Sequence, residues 1–578
     1  MKRIGVIFTI LIIFLCISCV NAEDFNLTDI NMTLNDTNTV DLLIDDNLNE
    51  NSSHNHTKIS SISDSPIKAA TYSAPGGTFT QLRSIINSAS AGSTIVISGD
   101  YYQDTSTRIT INKNLVIEGN GYTLDAMNKS TVFYITAGRL ELYNTTITQS
   151  RTTSANMDAA VYLYGSNARF GAYGCNFINN LHYASGSSSG HCLGVAVASN
   201  SFNWVDLVDC NFFNNSLQDY RTASVQQWSS RSIVCFIEGG GKSVWVEGCN
   251  FIDNSVISKA GGTVDLEIGG VASAYVNKCY FKNYLAYSTA NNAYSRTSFS
   301  GSVRTAGSSV VNLNFTNNVF ADNYGNESDY NPFSCGRSIT SSYVYGDLNV
   351  YGNWFGNNYV LGTYDFAPLY GSTYGYYDNS VVLRLTNTTP FTSSSGSVSF
   401  IAEFYLFNYT DNTYTKFTPD FLNPLPINFT TNKGSVSPVS STINNQITGT
   451  LSYSGGDGGY LSAIVESQVS TIYSSAGTFD ELQKLIDATP TGGTLTLTKD
   501  YIFNTAYDLP YRNGMIINKS ITIEGNGHTI DAQELNTEHK AHIFDIICNN
   551  VYLNNLNFKN AFYYLYEYTY DVDRKSVV

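Results

Sequence analysis

Charge is what this chain has least of: only 13% of its 578 residues are Asp, Glu, Lys or Arg, and the 31 cations are outnumbered by 47 carboxylates. The resulting formal charge of −16 argues against nucleic acid or an anionic membrane surface as a partner, since both would repel it. Beyond Cys16 and Cys19 the chain has no CxxC pair and no Cys/His cluster with metal-ligand spacing, so neither a metal nor a cofactor is expected. Residues 23 to about 70 lack hydrophobic periodicity, which excludes a packed core there. What is abundant instead is Tyr (42) and Gly (45), with much Ser, Thr and Asn, an all-β and turn-rich composition.

The N-terminus reads as an export signal. Met1-Lys2-Arg3, the apolar run 4–17 and Val20-Asn21-Ala22 form its three parts, with cleavage expected after Ala22. An uncleaved anchor helix and a lipid-modified Cys19 are the alternatives. Residues 23–70 then read as an acidic, disordered stalk carrying N-x-S/T sequons at Asn26, Asn31, Asn35, Asn51 and Asn55.

The rest of the chain is organised around a degenerate repeat whose best copy is Val244-Trp245-Val246-Glu247-Gly248-Cys249-Asn250-Phe251-Ile252-Asp253-Asn254. Taking Phe251 as position 0, the copies of that column are Ile147, Phe177, Phe212, Phe251, Phe281, Phe320 and Phe355, with one more at Phe558. Positions −7 and −5 are apolar in every copy, the period of two expected of a strand, and the parity then breaks, so a corner lies before position 0. The −3 column (Asn144, Gly174, Asp209, Gly248, Lys278, Asn317, Gly352, Asn555) is rich in residues that tolerate a left-handed backbone. A second corner follows at +2, where Gln, Asn or Asp always stands. Strand, corner, short strand, corner, recurring every 30 to 39 residues, predicts a right-handed parallel β-helix with rungs about 4.8 Å apart and Phe177, Phe212, Phe251, Phe281, Phe320 and Phe355 in one internal ladder. Cys175, Cys210, Cys249 and Cys279 share the −2 column, where they are expected to fill space as small buried thiols, stacking near enough for disulfides only after oxidation.

Gly77-Thr78-Phe79 opens an amphipathic helical pattern with Phe79, Leu82, Ile85 and Ile86 on one face and Thr78 as N-cap, suited to closing a solenoid end. A coil needs little more than about twenty residues, so repeats of this length must eject loops. The candidates are 184–194, 226–231 with Trp228, 288–302 with Tyr294, and 326–342 with Tyr330. Leaving one corner, they would form a continuous face. Over 381–472 the template gives way to alternating runs at β-sandwich spacing. After it, Gly477-Thr478-Phe479 repeats the cap, and Ile517 to Gly527 repeats Ile111 to Gly121 with a shared Ile-Glu-Gly-Asn-Gly. The expected division is a signal peptide 1–22, a stalk 23–70, a β-helix module 71–380, an immunoglobulin-like sandwich 381–472 and a truncated second β-helix module 473–578, with too few rungs to bury a core.

Signal peptide, polar stalk, G-T-F-x-x-L cap, the I-N-K-x-[LI]-x-I-E-G-N-G stretch, pectate-lyase-like rungs and an immunoglobulin-like spacer together resemble the adhesin-like surface proteins of host-associated methanogenic archaea. The resemblance implies a secreted or cell-surface protein that attaches to a host or microbial glycan or protein. Membrane association would come only through the signal region or an anchor outside this chain. Loop aromatics Trp228, Tyr294 and Tyr330 are the candidate ligand contacts, since Tyr and Trp offer contact area at low entropy cost.

The rival class is a polysaccharide lyase or hydrolase on the same solenoid, acting on an acidic polysaccharide. A lyase needs carboxylates converging on a metal with a base nearby. Asp265 and Glu267, alternating on one strand, with Glu238 one coil away and Lys242 as the base, are the best candidates. The competing reading is a solvated strand face. The paired-Asp motifs of pectin hydrolases are absent from the rungs, and no opposed carboxylate pair for a glycosidase is legible. A non-catalytic adhesin is therefore the expectation.

Overall fold

A computed structural model describes residues 69–561, apart from 155, 187–192, 222–229, 238–241, 259–261, 284, 289–302, 307–311, 322–323, 326–332, 336–347, 356–378, 409–410, 467 and 534–542. The leader and stalk expected over 1–70 therefore lie almost wholly outside the described residues. No helix among them is long and apolar enough to cross a membrane.

The first module is a parallel β-helix. Four parallel sheets of ten, nine, six and eight strands run along it, each strand pairing with its counterpart in the next coil. The −7 and −5 residues lie on the ten-stranded sheet, where Phe170 pairs with Val205 and Ala172 with Leu207, and position 0 lies on the nine-stranded sheet. The described side chains of all three columns in this module point inward and are buried, as the broken parity predicted. The rings of Phe177, Phe212, Phe251, Phe281, Phe320 and Phe355 stack with successive centroid distances of 5.0, 4.6, 4.8, 5.0 and 5.4 Å, the spacing of the rungs.

Both corners are made by left-handed residues. At −3, φ is 49° at Asn144, 53° at Asp209, 52° at Lys278 and 55° at Asn317, with glycine at the other three positions of this module. At +2 it is 52° at Gln149, 57° at Asn179, 50° at Asn214 and 55° at Asp253. A lysine at φ 52° shows that the fold, not local preference, sets this corner.

Two side-chain ladders satisfy the carbonyls these corners leave inside. Following the +2 turn, Asn180, Asn215 and Asn254 point inward at +3. Their amides donate to the carbonyls of Ile147, Phe177 and Phe212 in the preceding coil, at 3.2, 2.9 and 2.9 Å, and Asn180 and Asn215 donate along the ladder as well. The cysteine column does a similar job at the first corner. Cys175, Cys210, Cys249 and Cys279 place Sγ 3.2, 3.3, 3.3 and 3.6 Å from the −5 carbonyls of Leu142, Ala172, Leu207 and Val246. In the next two coils the column continues as Asn318 and Asn353, whose amides take the corresponding carbonyls of Val276 and Phe315 at 2.9 Å. Cysteine here is a weak donor as well as a space-filler.

All four of these cysteines are free and fully buried. Burial pushes the thiols of Cys175, Cys210 and Cys249 well above their ordinary value, which suppresses the reactive thiolate. Alkylation of the native protein should leave this column unmodified until denaturant is added. Stoichiometric Cys175–Cys210 or Cys249–Cys279 bridges in the unreduced protein would overturn this.

The cap is a helix at Phe79–Ser88 with a capping box between Thr78 and Gln81, burying Phe79, Leu82 and Ile86 over the first rungs. Its copy at Phe479–Ala488 is capped by Thr478. The shared Gly-Asn-Gly is also repeated in atomic detail. Asn120 and Asn526 are left-handed, at φ 50° and 49°, and send their amides to Ile97 O and Leu497 O. Gly119 is dictated by the next coil, because an added Cβ would lie 1.9 Å from Thr145 Oγ1.

The sandwich comprises a five-stranded antiparallel sheet, which includes the strand Thr413–Lys416, and a four-stranded antiparallel sheet. Its strands run from Asn379 to Tyr473. It is not a detached spacer. Tyr280, Val319 and Trp354 on the solenoid share one hydrophobic cluster with the sandwich, Trp354 Nε1 donates to Glu466 at 3.1 Å, and Lys278 pairs with Asp420. On its other side, Arg384 lies over the rings of Tyr405, Tyr414 and Tyr507, tying it to the second module.

The second module corrects the expectation that it buries no core. Its sheets of four, three and two described strands enclose Phe479, Leu482, Ile486, Tyr501, Ile523 and Ile530. The strands Thr494–Thr496 and Asp500–Ile502 add a rung that the template missed. Phe558 pairs with Ile530 in register yet is 37% exposed.

Candidate functional site

The lyase candidates lie on the strand Gly262–Gly269, where Leu266 and Ile268 face the core and Asp265 and Glu267 alternate with them. The solvated-face reading is wrong: both carboxylates are 0% exposed. Their side of the sheet is covered, as at Cys235, the register partner of Glu267, which packs with Met157, Ala159, Tyr162 and Ala198. Burial holds the Asp265 carboxyl well above the usual range, with Asn254 acting in the opposite direction. The Lys242 ammonium stands 5.8 Å from the centroid of the Phe202 ring. Glu238, Trp228, Tyr294 and Tyr330 lie outside the described residues. Among the described residues no three His, Cys, Asp or Glu side chains gather as a metal site.

A buried ionic clamp stands near this strand. Asp219 closes the strand Ser216–Asp219 and accepts from Arg221 at 2.8 and 2.9 Å and from Arg231 at 2.6 Å. All three side chains are at most 2% exposed. Burial alone would raise the Asp219 carboxyl, but the two guanidiniums outweigh it and hold the value below the ordinary range. The clamp thus joins Arg221 to Arg231, on either side of residues 222–229 in the sequence.

The accessible site is elsewhere, on the first three coils. A cleft of about 590 Å³ opens where the chain runs into the eight-stranded sheet, lined by Ser106-Thr107-Arg108, by Lys129-Ser130-Thr131, by 151–154 and by Asp158. Each of three successive coils contributes one cation beside two or more hydroxyls. The strands Ile109–Ile111 and Phe133–Ile135, which follow two of these segments, are paired in register, Ile109 with Phe133, and this aligns them. Lys129 Nζ is held by the carbonyls of Gln103 and Asp104. Asp158 accepts from Thr131 Oγ1 at 2.7 Å and from Ala159 N at 2.9 Å, so it braces the wall. Arg151 is exposed, and no carboxylate pairs with it among the described residues.

Beside the cleft is a tyrosine cluster. The Arg108 guanidinium lies 3.5 Å from the centroid of Tyr134. That ring is 5.8 Å from Tyr162 and 5.9 Å from Tyr164, which is 53% exposed. Below the cleft, His182 is fully buried, its ring nitrogens 2.7 Å from Gly194 O and 2.8 Å from Ser154 O, fixing the 151–154 wall.

Fold and site together define a parallel β-helix protein whose polar, cation-lined cleft is open and whose Asp265 and Glu267 carboxylates are sealed. No known protein family, curated protein or solved structure matches the chain.

Proposed function

We propose that this protein is an exported, non-catalytic attachment protein, holding a surface glycan or protein partner through the outer surface of its first solenoid. The observation that carries the reading is the contrast between the two candidate sites. The open cleft offers hydroxyls and guanidinium groups with a tyrosine cluster beside it, which are groups that bind, whereas Asp265 and Glu267, the candidate lyase carboxylates among the described residues, are fully buried. The leader and polar stalk read from the sequence support a place outside the cell. The sandwich, packed onto the solenoid through Trp354, supports rigid presentation of that surface.

A screen of glycans and proteins from host and microbial surfaces, run with an assay for depolymerisation of pectate and alginate, tests this. Saturable binding without product is expected. Calcium-dependent turnover abolished by Asp265→Ala or Glu267→Ala would establish the lyase instead.

A further inference from the structure

We infer that the cleft on the first three coils is a subsite for the anionic group of an acidic saccharide, a sulfate or a carboxylate, with the tyrosine cluster receiving the adjoining sugar. This rests on the attachment reading and names its ligand class.

The first argument is charge. In a chain of net charge −16, three cations and one carboxylate line a single cleft. The carboxylate is engaged by Thr131 and the Ala159 amide, so it does not cancel them by direct pairing. Arg151 is exposed at the rim, and an arginine can meet a planar carboxylate or a sulfate with two parallel N–H donors. The second argument is the lining. Ser106, Thr107 and Thr153 supply short hydroxyls that both donate and accept, matching sugar hydroxyls and the anion alike. The third is the ring cluster. Arg108 bridges the cleft and Tyr134, and Tyr164 stands exposed beyond it, so an aromatic surface adjoins the cationic one. Because the cations come from stacked coils about 4.8 Å apart, a polymer laid along the solenoid would meet them in sequence. Nucleic acid is disfavoured, because a phosphate backbone would run from this one cleft onto a predominantly acidic molecule.

The test uses the full chain and four immobilised probes: dextran sulfate, polygalacturonate, neutral dextran and a single-stranded DNA oligonucleotide. Binding is expected to dextran sulfate, polygalacturonate or both, the two distinguishing sulfate from carboxylate, and to weaken with salt as exposed charges are screened. Arg151→Glu should lower that affinity at least tenfold and Tyr164→Ala severalfold. Arg169→Glu, an exposed cation on another sheet, should not change it. An Arg151→Glu protein with unaltered melting and unaltered affinity would overturn the inference, as would tighter binding to DNA. If the protein binds only neutral glycans or a protein partner, the inference fails while the attachment reading stands. Depolymerisation of polygalacturonate would defeat the attachment reading itself.

Discussion

Phe251→Ala should cost the first solenoid about 3–5 kcal/mol, measured as a shift in chemical denaturation of the intact chain. The ring is fully buried between Phe212 and Phe281, with centroids at 4.6 and 4.8 Å. Deleting it removes the contacts on both faces and opens a cavity that the neighbours cannot close. The Phe212 coil is pinned by the Cys249 thiol at Leu207 O and by the Asn254 amide at Phe212 O, and the Phe281 coil by the Asn318 amide at Val276 O. In a solenoid each coil contacts mainly its neighbours, so the loss weakens two inter-coil interfaces together. Hydrogen exchange should accordingly accelerate most in the strands holding Phe212, Phe251 and Phe281. Phe558→Ala, at a ring that is 37% exposed, should cost far less. A loss below about 1 kcal/mol at Phe251 would show that the stack follows from rung geometry without stabilising it.

The ladder was legible because a strictly repeated constraint imprints the same residue type at each coil, and both left-handed corners were legible for the same reason. The amide ladder was concealed by adjacency. In Asn179-Asn180 and Asn214-Asn215 the first residue takes the left-handed turn while the second donates inward, and a run of asparagines reads simply as a turn. The cysteine column read as apolar filler until Asn318 and Asn353 revealed its donor role at the same position of later coils. For Asp265 and Glu267, alternation identifies the residues that share a face, but whether water reaches that face depends on loops distant in sequence. The cleft required alignment of coils. Its signal was present as Ser-Thr-Arg, Lys-Ser-Thr and Arg-Thr-Thr on successive repeats, but these lie outside the template that located the core.

Asp219→Ala should be as damaging as Phe251→Ala, for an electrostatic reason. Arg221 and Arg231 are taken out of water, at 0% side-chain exposure, and are offset by the carboxylate they share. Removing it leaves two guanidiniums buried without that counter-charge, and breaking a buried pair in this way costs about 3–5 kcal/mol. The pH dependence follows from the sign of the shift. The folded value of Asp219 is depressed, its burial outweighed by the two arginines, so its contribution is fully present above the unfolded carboxylate value of about 3.9 and is lost as pH falls through the folded value. At neutral pH the variant should therefore lose the full amount, and as pH falls through the depressed folded value its stability should converge on that of the natural protein. A control separates charge from shape: replacing Asp219, Arg221 and Arg231 together by apolar residues of similar volume should recover much of the loss. If Asp219→Ala costs less than about 1 kcal/mol at neutral pH, solvent reaches the guanidiniums and the clamp adds little to stability.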